Sequence, residues 1–166
     1  MSEEWHPIEE FPGYLVHRGG HIYSELSSKI LMPQRNTQGD LVVALRKNGE
    51  THGRQIRKIV AEAYVERPDL KSDTVILLDN DRENVQASNL MWRPRYFAWK
   101  YKRQWDSLPE YYDIPIAQKP GYRYDSIAQC AHIEGLLMRD IFWSAESGEE
   151  IYPTYQVYSF VWQDSD

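Results

Sequence analysis

Val75-Ile76-Leu77-Leu78-Asp79-Asn80-Asp81 runs without a charge until its last turn, and after a polar loop the chain returns with Asn89-Leu90-Met91-Trp92. Residues 74–78 are apolar and rich in β-formers, so they read as a buried strand. Asp79-Asn80-Asp81 is a turn, because short acidic and amide side chains bond their own backbone and tolerate tight conformations. Residues 93–105 read as a helix or an extended connector. They hold five basic residues between Arg93 and Arg103 and no acid.

Upstream, residues 58–65 have helical spacing, with Ile59, Val60, Ala63 and Tyr64 on one face and Pro68 beyond the end. Before them the chain reads as short strands. Residues 14–18 and 21–25 flank Gly19-Gly20, and residues 29–34 follow as a third strand. Residues 40–47 and 51–57 alternate across Asn48-Gly49, a pair that favours a two-residue hairpin turn. Downstream, residues 109–120 carry three prolines and read as a linker. Asp125 or Ser126 can cap a helix over 127–133, Gly135 ends it, and a second helix over 136–145 is closed by Gly148. Residues 155–162 alternate as a final strand.

The 166 residues are 42% hydrophobic and 27% charged, a globular composition with 12 Tyr and 6 Trp. Such aromatics close small cores and also serve interfaces and base stacking. No apolar run approaches the ~20 residues of a membrane span. The acidic start, Met1-Ser2-Glu3-Glu4, lacks the apolar region of a signal peptide, so a cytoplasmic protein is expected. The single Cys130 excludes an internal disulfide and a cysteine-built zinc site, and its apolar neighbours indicate a buried thiol. Net charge is −6 but uneven: residues 1–105 carry 16 Lys+Arg against 14 Asp+Glu, and residues 106–166 carry 3 against 11. A local basic patch matters more for phosphate contact than the overall sum.

Three stretches, in order, resemble the parts of one assembly. Glu4-Trp5 with Pro7-Ile8, Pro12-Gly13-Tyr14 with Val16, and Gly20 with Ile22-Tyr23-Ser24 resemble the modular motif that precedes many phage and intron-encoded HNH nucleases. Ile59-Val60-Ala61-Glu62-Ala63-Tyr64 and the Val75 to Trp92 stretch resemble the HNH core, whose pattern is V-N-H-I-D-G-N…N…N-L-x-W. Tyr124-Asp125-Ser126-Ile127-Ala128, Gly135, Gly148 and Tyr158-Ser159-Phe160-Val161-Trp162 resemble the helix-turn-helix module attached behind such nucleases. The resemblance to phage-type HNH homing endonucleases implies an α+β fold. A small antiparallel β unit (residues 1–57) is followed by an HNH-like ββα finger and basic connector (58–105), a linker (106–123) and a helix-turn-helix-like module with a terminal strand (124–166).

In that family a histidine activates water beside one divalent metal, which stabilises the scissile phosphate and the leaving oxygen. The positions that match read poorly for this chemistry. Leu77 stands at the general base and cannot accept a proton. Ile76 stands at a ligand position without a side-chain oxygen, and Arg57 replaces the histidine at the helix start. Asn89 alone remains. The resemblance therefore implies a degenerate site with little or no cleavage. No cofactor is expected, with Mg²⁺ or another divalent cation required only if residual nuclease activity exists. Asp79, Asp81 and Asn89 are the candidates for a rearranged metal site in a still-active enzyme. His52 lacks a partner carboxylate at ligand spacing, and His17 with His21 lacks a third ligand.

Double-stranded DNA is the expected partner, through Arg54, Arg57 and Lys58 beside the finger and Arg93, Arg95, Lys100, Lys102 and Arg103 after it. The helix near 136–147 would read a groove, but it sets Arg139 against Asp140 and Glu146 in an acidic segment. That segment supports an alternative, a degenerate nuclease repurposed to bind and modulate a host protein.

Overall fold

The computed structural model describes residues 4–118 and 121–163. Met1-Ser2-Glu3 of the acidic start and Lys119-Pro120 of the expected linker lie outside the described residues. The chain divides into two compact units, Met1–Ala98 and Trp99–Asp166.

In the first unit, β1 (Trp5–Pro7), β2 (Tyr14–His17), β3 (Ile22–Ser24) and β4 (Lys29–Ile30) form an antiparallel sheet in that order. Next, β5 (Gln34–Arg35), β6 (Leu41–Lys47) and β7 (Glu50–Gln55) form a second antiparallel sheet. Asn48 and Gly49 both have positive φ, 53° and 79°, the left-handed pair of a type I′ turn, and they pair Lys47 with Glu50 as the hairpin signal required. Two strands escaped the sequence reading. β1 contains Pro7 and β5 is two residues long, so neither carries an alternating pattern to read.

Helix α1 (Ile56–Tyr64) starts where β7 ends and buries Ile56, Ile59, Val60 and Ala61. It stops at Val65, whose backbone turns extended (φ −113°, ψ 123°) while its N–H still bonds Ala61 O. The Val65 carbonyl accepts the indole N–H of Trp92 at 3.1 Å, tying the helix end to the next hairpin. That hairpin is β8 (Thr74–Leu77) against β9 (Leu90–Arg93), with Val75 opposite Trp92 and Leu77 opposite Leu90. These four side chains share one face of the pleat and join the same apolar cluster as Val16, Ile22, Val43, Leu45 and Val60. Each such side chain contributes roughly 1.5–3 kcal/mol of burial. One core therefore serves residues on both sides of the expected boundary at residues 57 and 58. Gly20 shows how closely the parts fit: its φ is +98°, and a Cβ there would lie 2.7 Å from Val85 Cγ2 of the β8–β9 loop. Ala87 N–H also donates to Arg18 O at 2.9 Å. Pro94 follows β9, and helix α2 (Arg95–Gln104) begins directly after it.

In the second unit, β10 (Ile116–Gln118) pairs with both β11 (Tyr122–Tyr124) and β12 (Tyr158–Phe160). Two of these strands lie largely in residues 106–123, so that stretch is not a plain linker. The prolines suggested one, but Ile116 and Ala117 are fully buried and place the segment at the sheet centre. Ser126 caps α3 (Ile127–Glu134) by accepting the Gln129 N–H at 3.0 Å, and Gly135 ends it in the left-handed region. Helix α4 (Met138–Ser147) follows after Leu136 and Leu137 and ends at Gly148. Ile116, Ile127, Cys130, Ala131, Leu136, Met138, Ile141 and Tyr158 fill the core. Cys130 is fully buried as expected, and burial pushes its thiol well above the usual range. Among the described residues no helix is long and apolar enough to cross a membrane.

Candidate functional site

The β8–β9 hairpin holds the positions at which the sequence resemblance places the cleavage chemistry of HNH enzymes. The register directs the Leu77 side chain into the core of the first unit, 6% exposed, opposite Leu90. Ile76 points to the other face of the hairpin and is 4% exposed. Both are apolar and enclosed, so neither can bind a cation or move a proton.

Asn89 ends the 3-10 turn Ala87–Asn89 and is buried. Its Oδ1 accepts the Asp79 N–H at 3.1 Å, and its Nδ2 donates to Asp79 Oδ1 and to Asn84 O, each at 2.8 Å. Asp79 Oδ1 also accepts the Asp81 N–H at 2.9 Å, while Oδ2 accepts from Asn84 Nδ2 at 2.8 Å. Asp81 Oδ1 accepts the Glu83 N–H at 3.0 Å. Asp79, Asp81 and Asn89 thus form a network of bonds to backbone and to neighbouring side chains that folds the 79–89 loop. Among the described residues no group of three or more His, Cys, Asp or Glu could hold a metal ion. The residues present do not fit the divalent cation of HNH cleavage, which needs several convergent oxygens.

The basic candidates separate by what they touch. Arg54 lies 2.9 Å from Glu10 and stacks on Phe11 at 5.1 Å. Arg57 lies 3.5 Å from the buried Asp40, which Arg82 also approaches at 3.8 Å. Burial holds the Arg57 guanidinium below its ordinary value, against the opposing pull of Asp40. Arg93 is 6% exposed, donates to the Trp92 carbonyl at 2.8 Å and stacks on Phe97 at 5.7 Å. Arg57 and Arg93 are therefore engaged within the fold, and are less open to a phosphate than the other expected contacts. Lys58, Arg95, Lys100, Lys102 and Arg103 are exposed.

Four of those five exposed cations lie on α2, which buries Phe97 and Tyr101 and exposes most of its remaining length. Tyr96 and Trp99 stand among them, 60% and 61% exposed. Arg103, one turn after Trp99, stacks on its ring at 4.7 Å. The sequence reading named the cations and missed the two aromatics. Their spacing was the available signal: large rings between basic residues, off the face carrying Phe97 and Tyr101. Among the histidines, His17 Nδ1 accepts the Gly19 N–H at 2.9 Å and Nε2 meets Glu4 at 3.1 Å, with the His21 ring 5.7 Å away. His52 lies 3.8 Å from Glu50 and packs on Phe11.

No family model matches the chain. Two uncharacterized HNH endonucleases of Acanthamoeba polyphaga mimivirus are similar to it. One is 30% identical over 86 residues, covering 52% of this chain and 26% of the relative. The other is 24% identical over 116 residues, covering 68% and 29%. The chain thus spans between a quarter and a third of these relatives. A solved structure of the HNH homing endonuclease I-HmuI, described as showing its DNA binding and cleavage, matches with a TM-score of 0.58. That match covers 95% of this chain and 97% of the other at 21% identity, a likeness of fold. With the hairpin and helix arranged as described, the chain has the fold of this HNH homing endonuclease structure and is similar in sequence to the two viral HNH endonucleases.

Proposed function

We propose that this protein binds double-stranded DNA without cutting it. The carrying observation is the surface of α2, where Arg95, Lys100, Lys102 and Arg103 are exposed with Tyr96 and Trp99 and no carboxylate interrupts them. Such a helix neutralises backbone phosphates and releases their counterions, which gives affinity and register but little sequence choice. Lys58 on α1 is a further exposed cation for phosphate contact. The buried apolar side chains of Ile76 and Leu77, together with the internal hydrogen bonds of Asp79, Asp81 and Asn89, support the reading that the protein does not cut. Without a base and an open ligand set, hydrolysis lacks the two contributions that dominate this chemistry.

The pair α3 and α4, joined through Gly135, is read as a helix-turn-helix-like module. Its exposed Trp143 and Glu146 and its partly exposed Asp140 do not make α4 a strong groove reader. The same unit supports a second reading, contact with a host protein, because Trp143, Tyr155 and Trp162 are 48%, 61% and 63% exposed in an acidic segment. Fluorescence anisotropy with a labelled duplex of about three helical turns tests the main reading. Binding should be tight at low salt and fall steeply and log-linearly as salt rises. Absence of binding at low salt would reject DNA and leave the protein contact, which a pull-down from host lysate would then address.

A further inference from the structure

The second unit contains a cleft of about 300 Å³ between the C-terminal half of α2 and the start of α4. Trp99, Pro109, Tyr111, Leu137 and Met138 supply its apolar walls. Lys100, Arg103 and Arg139 also line it, and no carboxylate is among the lining residues.

Its parts are held in place. Gln104 bridges the two helices by donating to Leu136 O at 3.0 Å and accepting the Met138 N–H at 2.8 Å. Tyr111 lies flat on Phe142, with ring centroids 4.3 Å apart and planes 12° apart. Trp99 is steadied on its own helix by Arg103. Two rings thus border a mostly apolar hollow, and three cations stand around it.

We infer that this cleft takes one unpaired nucleobase from a single-stranded stretch of DNA, with the adjoining phosphates on Lys100, Arg103 and Arg139. The inference rests on the reading that α2 contacts DNA and adds what its concave end does. A paired base cannot leave the duplex stack to enter such a hollow without paying for unstacking, whereas an unpaired base presents a flat apolar face to aromatic rings. The volume is at the lower end of small-ligand pockets, a size for one base rather than a groove-bound strand. The cations match the phosphates that flank every base. A neutral apolar ligand would make no use of the positive charge at this cleft, and a free anion would make no use of its aromatic walls.

The test uses the full chain and fluorescence anisotropy at fixed low salt. One probe is a labelled oligothymidylate of about a dozen nucleotides, within the site sizes of single-strand binders. The other is the same backbone carrying abasic residues, with phosphates and no bases. The oligothymidylate should bind at least about fivefold tighter, the lower end of what stacking one base contributes. Trp99→Ala, at a largely exposed position, should erase that preference while leaving the abasic strand's affinity within about twofold. Arg139→Gln should weaken both strands alike. Equal affinity of the wild type for the two strands, binding of neither strand, or a preference that survives Trp99→Ala would overturn the inference. A duplex measured alongside separates the two claims: failure to bind it rejects the duplex reading, while the comparison between the single strands still decides the cleft.

Discussion

Asn89 is the residue at which a cutting role and a structural role can be told apart. Its amide makes three hydrogen bonds from a buried position and fixes the turn after β8. Asn89→Ala should therefore destabilise the protein by about 1–3 kcal/mol, since it removes the partner of the Asp79 N–H and of the Asn84 carbonyl and leaves a gap at a buried position. Urea unfolding measures this, and an unchanged midpoint would contradict the structural role. Leu77 makes the complementary case. Leu77→His supplies the side chain that the resemblance assigns to the HNH base, but at a 6% exposed position on the same face as Val75, Leu90 and Trp92. It should cost about 2–4 kcal/mol through reduced apolar burial and a poorly partnered ring, with no gain of cleavage. Asp140 supplies a dependence on pH. Burial raises its pKa, against the pull of Arg139 and Lys100, so the folded protein binds this proton more tightly than the unfolded chain does. The stability linked to it is present below the ordinary aspartate range and is lost as pH rises through the raised value. Asp140→Asn should accordingly be more stable than wild type at neutral pH, with the difference vanishing in acid. Thermal melts across pH would show it, and a constant difference would contradict it.

At the scale of elements, α2 carries the functional proposal. A triple variant, Lys100→Gln with Lys102→Gln and Arg103→Gln, should weaken duplex binding. It should also reduce the slope of log affinity against log salt by about 0.9 for each phosphate that is no longer neutralised. Because these side chains are exposed, the variant should melt near wild type; an unchanged slope would remove α2 from the interface. The elements that were legible in the sequence have a strong local cause. Asn48-Gly49 dictates a left-handed turn, the 59–64 spacing dictates a helix face, and Ser126 with Gly135 dictates both ends of α3. β1, β5 and β10 were not legible, because two or three residues give no period and only partner strands define them. The basic candidates divided for the same reason. Composition identifies an arginine, but only tertiary packing tells that Arg57 faces Asp40 and Arg93 faces Trp92 and Phe97, while Arg95 stays open.

For the whole molecule, the fold is like that of an HNH homing endonuclease, and on the proposed reading groups that pack stand where the resemblance places the groups that cut. The apolar cluster of the first unit includes Leu77 itself, so the position that matches the HNH base stabilises the scaffold. The resemblance located these positions in the sequence. Their enclosure, and the internal use of Asp79 and Asn89, became visible only with the fold. The central claim is that this scaffold engages duplex DNA and leaves it intact. It is tested most directly by incubating supercoiled plasmid with excess protein in Mg²⁺ or Mn²⁺ and following the open-circle form after the protein is stripped away. The account predicts no open circle above the protein-free control, even where the plasmid is fully bound. Metal-dependent nicking by the wild type that disappears in Asp79→Asn or Asp81→Asn would contradict it and establish a rearranged catalytic centre.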